Sequence, residues 1–300
     1  MTGRWSAAVR QIAADTGRRA RRQDLMLIAA GLTFYAGIAV VPLLLVGLYG
    51  AGLVLDPERV VALVERLSQF APDASGARQI VRAIGGSGPR LGVPSLIASL
   101  VTASTYGEGL LRAVDTLEGE QRPTRTLMGR LRVLPYLGVF PLVTLIGLMA
   151  VAVLPDRLGG GTSGRVLGAY LTFWVVWVSA TALLMVLYRL FAARAPRWAA
   201  ITWGSLATGS FLAGMSLGWV VMLRFGITIG QAYGGSEELG RVVLVAIYLL
   251  FVQVTVLVGY LLVTAIDRWL AGGRATGAAD HTTPVREPDG RTPGGTDGGA

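Results

Sequence analysis

Residues Leu25–Leu55 read LMLIAAGLTFYAGIAVVPLLLVGLYGAGLVL, a run without one charged side chain. At 1.5 Å per residue such a run makes a helix of roughly 46 Å. The hydrocarbon core of a bilayer is about 30 Å thick and is crossed by about 20 apolar residues. The stretch therefore reads as a membrane-spanning helix that tilts or bends, and Pro42 is the natural place for a kink. It also decides the fold class. Inside hydrocarbon every backbone polar group must find a partner within the protein, and a helix supplies one along its own length.

Comparable apolar runs recur at about 91–111, 133–154, 166–188, 199–223 and 242–266. The whole chain is 53% hydrophobic and 15% charged, with a mean hydropathy of +0.57. Its 300 residues could not bury all of these runs in one water-soluble core. The expected architecture is an all-α polytopic membrane helix bundle of six transmembrane helices, with short amphipathic interfacial helices, in a membrane domain covering 25–271.

The connections carry their own signals. Asp56 and Pro57 suit the N-cap and first position of a new helix. In the extracytoplasmic loop 56–90, Val60, Val61, Val64, Leu67 and Phe70 form one apolar face, and Ile80, Val81 and Ile84 a second. Gly85, Gly86, Gly88 and Pro89 close the segment. Residues 1–24 hold six arginines, with Trp5, Val9 and Ile12 at helical spacing, which predicts an amphipathic helix at the membrane surface. A cleavable signal peptide is rejected, because the following hydrophobic run is far longer than a signal core. Residues 272–300 are rich in Gly, Pro, Thr and Asp and are expected to be a disordered cytoplasmic tail.

Arginine placement sets the expected orientation. With both termini cytoplasmic, inner segments hold eighteen of the 27 basic residues and outer ones nine. This implies a multi-pass membrane protein with its N- and C-termini on the cytoplasmic side. The net charge of +9 is read as contact with anionic lipid rather than with nucleic acid.

Composition excludes much chemistry. Cysteine is absent, so disulfides and thiolate sites are excluded. The single histidine, His281, lies in the tail, which removes histidine metal sites and Ser-His-Asp triads. Lysine is absent too, and no phosphate-binding loop ending in Lys-Ser/Thr is present. No cofactor or metal is expected. Asp115, Glu118 and Glu120, interleaved with Arg112 and Arg122, form the densest acidic group and are read as a solvated helix end, not a nuclease centre.

The polar residues within spans are the candidate pathway. Leu96–Leu117, LIASLVTASTYGEGLLRAVDTL, contains Glu108, the one acidic residue in a long hydrophobic run. Intramembrane carboxylates face cavities or partners, and Thr102, Thr105 and Tyr106 make this half of the helix polar. Arg112 is four residues on, so an ion pair along one helix face is the structural alternative. Gln253 in the last span suits an inter-helix hydrogen bond or a ligand contact. Tyr35 and Pro42 in the first span complete the set, since proline frees a carbonyl near Ile38. Ser210, Gly214 and Gly218 recur at four-residue spacing and predict close helix packing, within the monomer or, as the minor alternative, in a homo-oligomer. A three-plus-three inverted repeat is suggested only by the echo of Leu32-Thr33-Phe34-Tyr35 in Leu171-Thr172-Phe173-Trp174.

Four patches together resemble the YihY/BrkB family of bacterial inner-membrane proteins. They are Ala29–Leu45, AAGLTFYAGIAVVPLLL; Thr102-Ala103-Ser104 with Leu110-Leu111 and Val114-Asp115; Leu187–Gly204, LYRLFAARAPRWAAITWG; and Tyr233-Gly234 with Gly259. Ala39, Ala192-Ala193, Asp115 and Leu261 depart from the usual family residues. The resemblance implies an inner-membrane protein, for which ribonuclease, virulence and transport roles have each been suggested. The residues themselves favour a transporter or exporter of an ion, lipid or small solute, not driven by ATP on its own. A non-catalytic envelope scaffold is the alternative, and a ribonuclease the least favoured. Expected partners are membrane lipids and a small-molecule or ion substrate.

Overall fold

The computed structural model describes residues 2–68, 77–119, 136, 162–192, 194–224 and 235–279. All regular structure among them is helical: α1 (Thr2–Arg22), α2 (Leu25–Val54), α3 (Pro57–Ser68), α4 (Ala77–Ser87), a 3-10 turn (Gly88–Arg90), α5 (Val93–Glu118), α6 (Thr162–Phe191), α7 (Trp198–Arg224) and α8 (Glu237–Ala279). The all-α bundle is as expected.

Three helices among the described residues are long and apolar enough to cross a membrane: Leu25–Val54, Val166–Phe191 and Val242–Ala271. They correspond to the first, fourth and sixth expected spans. The second and fifth fall in α5 and α7, which are 26 and 27 residues long, α5 being the more polar of the two. The third, 133–154, lies outside the described residues except for Tyr136, which is buried in the core. α8 continues to Ala279, past the expected start of the tail, and 280–300 lie outside the described residues.

Local chemistry explains several boundaries. Asp24 caps α2 by accepting from the Leu27 N–H at 3.4 Å. The α2 helix runs unbroken through Pro42. Asp56 Oδ1 accepts the Glu58 N–H at 3.2 Å, and Asp56 itself turns at φ 76°. α5 opens on Gly92 with Pro94 in its first turn and stops at Gly119, whose φ of 70° is left-handed.

α8 is the hub. It packs on α1, α2 and α7, while α2 packs on α5 and α6 on α7. The shared core contains Leu32, Leu110, Tyr188, Ile201 and Leu257, one from each of the five long helices. Aromatic and small residues fit these helices together. Tyr188 OH donates to the Val256 carbonyl at 2.9 Å, and Trp177 Nε1 to the Leu206 carbonyl at 3.2 Å. Gly109 receives the Tyr35 ring so closely that an added Cβ would lie 2.6 Å from Tyr35 Cδ2. Gly259 is likewise closed in by Tyr188 and Thr208.

The cap formed by α3 and α4 has its own small core of Ala51, Val60 and Val64, completed from α2. Arg82 Nη2 and Glu65 Oε1 pair across it at 2.9 Å. α1 lies against α8 with Ala8 and Thr16 buried, and Val9 is 62% exposed.

Candidate functional site

The residues of the expected pathway are satisfied within the protein. On α5, the Thr102 hydroxyl donates to the Ala98 carbonyl at 2.9 Å and the Thr105 hydroxyl to the Thr102 carbonyl at 2.7 Å. Such bonds absorb the polarity of a hydroxyl along its own helix. Arg112 Nη2 and Glu108 Oε1 are 2.6 Å apart, with the Glu108 side chain 13% exposed and that of Arg112 66%. The helix spacing of four residues brings them together, as the structural alternative predicts.

Gln253 is buried and accepts from Tyr106 OH at 3.1 Å, a bond that joins α5 to α8. Tyr35 is seated on Gly109 as packing. Ser210, Gly214 and Gly218 lie together on an exposed face of α7. The described contacts between α7 and its neighbours instead use Gly204 against Val263 and Gly209 against Thr181.

A cavity of about 340 Å³ opens at the end of the bundle where α5 finishes. Its wall includes Arg19 of α1, Glu118 of α5, Arg194 and Pro196 of the α6–α7 connection, and Tyr260, Asp267 and Arg268 of α8. Each element is tied in place. Gln23 Nε2 donates to the Leu117 carbonyl at 2.5 Å, which anchors the α1–α2 turn to the last turn of α5. Tyr260 OH donates to Glu118 Oε1. The Arg197 N–H donates to Asp267 Oδ1 at 3.0 Å, and Arg189 Nη1 to the Pro196 carbonyl at 3.2 Å. Arg268 Nη1 reaches Asp15 Oδ2 at 2.7 Å, linking α8 to α1.

Of the acidic group read from the sequence, Glu118 lines this cavity, Asp115 lies one turn earlier on α5, and Glu120 is outside the described residues. Among the described residues no three His, Cys, Asp or Glu side chains are grouped to hold a metal. Asp267, Tyr260 and Arg268 were not singled out from the sequence. The signal that could have found them is the appearance of Asp267 and Arg268 at the end of an apolar run, where a helix end meets water.

None of the curated proteins and none of the solved structures compared with the chain matches it. A family model described as virulence factor BrkB matches residues 16–282. That match takes in all five long helices and the cavity wall, while the apolar lengths of α2, α6 and α8 fit them to a bilayer. The chain is an integral membrane protein and belongs to the virulence factor BrkB family.

Proposed function

We propose that this protein is a transporter or exporter of an ion, lipid or small solute in the bacterial cytoplasmic membrane, multi-pass and with both termini cytoplasmic. The observation that carries this reading is the ion-lined cavity at the end of the bundle, bounded by Arg19, Glu118, Arg194, Asp267 and Arg268. Charged side chains gathered at the end of a membrane bundle offer an entry for a polar or charged substrate. Further along the bundle, Glu108 pairs with Arg112 along α5, and the Tyr106–Gln253 bond closes α5 onto α8. In this reading they belong to the shut state of the pathway, and Glu108 acts as a gate. With no nucleotide-binding loop in the sequence, movement is gradient-driven or passive.

Reconstitution in liposomes tests it. Proton flux is followed with an entrapped pH dye, and lipid movement by dithionite quenching of a fluorescent phosphatidylglycerol. Rates above those of protein-free vesicles, changed by Glu108→Gln, support the reading. Rates equal to those of empty vesicles remove it.

The internal pairing of Thr102, Thr105, Glu108 and Arg112 on α5, and of Tyr106 with Gln253 across to α8, favours a second reading, a non-catalytic scaffold for envelope organisation. A scaffold leaves both fluxes at background. In either reading the protein is not an enzyme, and purified material free of host nucleases is expected to show no metal-dependent ribonuclease activity.

A further inference from the structure

Three guanidinium groups and two carboxylates line the cavity, and a third carboxylate, Asp15, pairs with two of the three arginines. Arg19, Arg194 and Arg268 line it against Glu118 and Asp267. Both carboxylates already accept a hydrogen bond from the protein, from Tyr260 OH and from the Arg197 N–H. Asp15 is shared between Arg268 at 2.7 Å and Arg19 at 3.9 Å. The Arg268–Asp15 pair is exposed, with side chains 40% and 31% accessible, and such pairs yield readily to a competing anion. Two more arginines, Arg189 and Arg197, hold the connection that forms one wall.

Depth in the membrane narrows the ligand. Trp198, 60% exposed, follows Arg197 and lies under the Arg189 guanidinium at 5.0 Å. Trp269, 38% exposed, follows Arg268. Exposed tryptophans on a membrane bundle mark the headgroup level. Trp198 and Trp269 flank the arginine-rich mouth, as is expected of a site at the level of the lipid phosphates. The planar fork of arginine matches phosphate oxygens in pairs. A volume of about 340 Å³ holds a headgroup while the acyl chains stay in the bilayer.

We propose that this cavity binds the phosphate of an anionic phospholipid headgroup, gripped by Arg194 and Arg268 with Arg19 at the mouth. The inference rests on taking the cavity as the site through which the protein acts, and it names the class of ligand. A free phosphate offers the same chemistry, and the interfacial position favours the lipid as its source.

The test uses the full-length protein in neutral detergent. Mixed micelles of phosphatidylglycerol or phosphatidylcholine are titrated in, and inorganic phosphate and glycerol 3-phosphate are titrated separately. Retained lipid is read by native mass spectrometry and binding by the shift in melting temperature. Phosphatidylglycerol should bind in preference to phosphatidylcholine, and Arg194→Gln with Arg268→Gln should weaken it at least about tenfold. Arg82→Gln in the distant cap should leave it unchanged. Should the double variant not fold, Arg194→Gln alone, in an exposed connection, carries the comparison. Equal binding of both lipids, unchanged binding in the variants, or soluble phosphates occupying the site as well as phosphatidylglycerol would overturn the proposal. Lipid binding without flux removes the transport reading and keeps this site. Flux without lipid binding does the reverse.

Discussion

Tyr106 and Gln253 meet through a 3.1 Å hydrogen bond between α5 and α8, and the Gln253 side chain that accepts it is almost wholly buried. They are far apart in sequence and lie on the two helices that form opposite walls of the cavity further along the bundle.

Removing this bond should have a modest cost. Cross-helix hydrogen bonds in membranes contribute about 0.6 kcal/mol on average and up to about 1.7 kcal/mol. Tyr106→Phe and Gln253→Leu are each expected to lower stability within that range, and the double variant by less than their sum. Reversible unfolding in mixed detergent measures all three. Strict additivity would show that the contact carries no coupling.

Gly259 should tolerate no side chain. Gly259→Ala pushes a methyl group into Tyr188 OH and Thr208, and overpacking of this kind costs about 1–3 kcal/mol. Tyr188→Phe removes the nearest obstructing atom and is expected to recover part of the loss when combined with Gly259→Ala. Gly109→Ala should behave in the same way against Tyr35. Melting temperatures of the purified single and double variants decide the matter.

The Glu108–Arg112 pair should be asymmetric. Glu108→Gln replaces a charge whose partner is 66% exposed, so its effect on stability is expected to stay below about 0.5 kcal/mol. Arg112→Ala leaves a carboxylate only 13% exposed with one donor fewer, which costs about 1 kcal/mol or more. Equal effects in a thermal unfolding series would contradict this.

Gly214→Leu and Gly218→Leu should leave the isolated chain's stability within about 0.5 kcal/mol of the parent, because no described residue comes within 4 Å of a Cβ added at either position. If copies of the chain associate through this face, the same variants should lower the oligomer fraction measured by light scattering in detergent. A large loss of stability with no change in association would place the stripe inside the monomer after all.

The bundle was legible where one physical rule dominates. Uncharged length marked α2, α6 and α8, and the Asp56-Pro57 pair marked the start of α3. The Glu108–Arg112 contact follows from helix spacing alone. What spacing could not reveal is which face of a helix meets a neighbour. The Ser210, Gly214 and Gly218 series and the Gly204 and Gly209 positions share one helix, yet only the latter two meet neighbouring helices in the described contacts. In an apolar background both sets look alike, because lipid and protein interior present similar surroundings. The tyrosines were hidden for a related reason. Tyr188 and Tyr260 read as ordinary apolar bulk until tertiary packing brings an acceptor to each hydroxyl. The cavity was harder still, since its wall draws on α1, α5, α8 and the connection before α7.

The position of α8 in the packing has a consequence for biosynthesis. Among the described helices, α2 with α5 and α6 with α7 form two pairs that barely touch each other, and α8 contacts both. It is also the last of them to leave the ribosome. Among the described helices, the two pairs therefore gain a shared packing partner only once α8 is inserted. A nascent chain halted before residue 237 lacks the wedge that unites them and the Tyr260, Asp267 and Arg268 side of the cavity. Quality control that removes chains stalled at that point would act on a protein whose earlier helices are each complete.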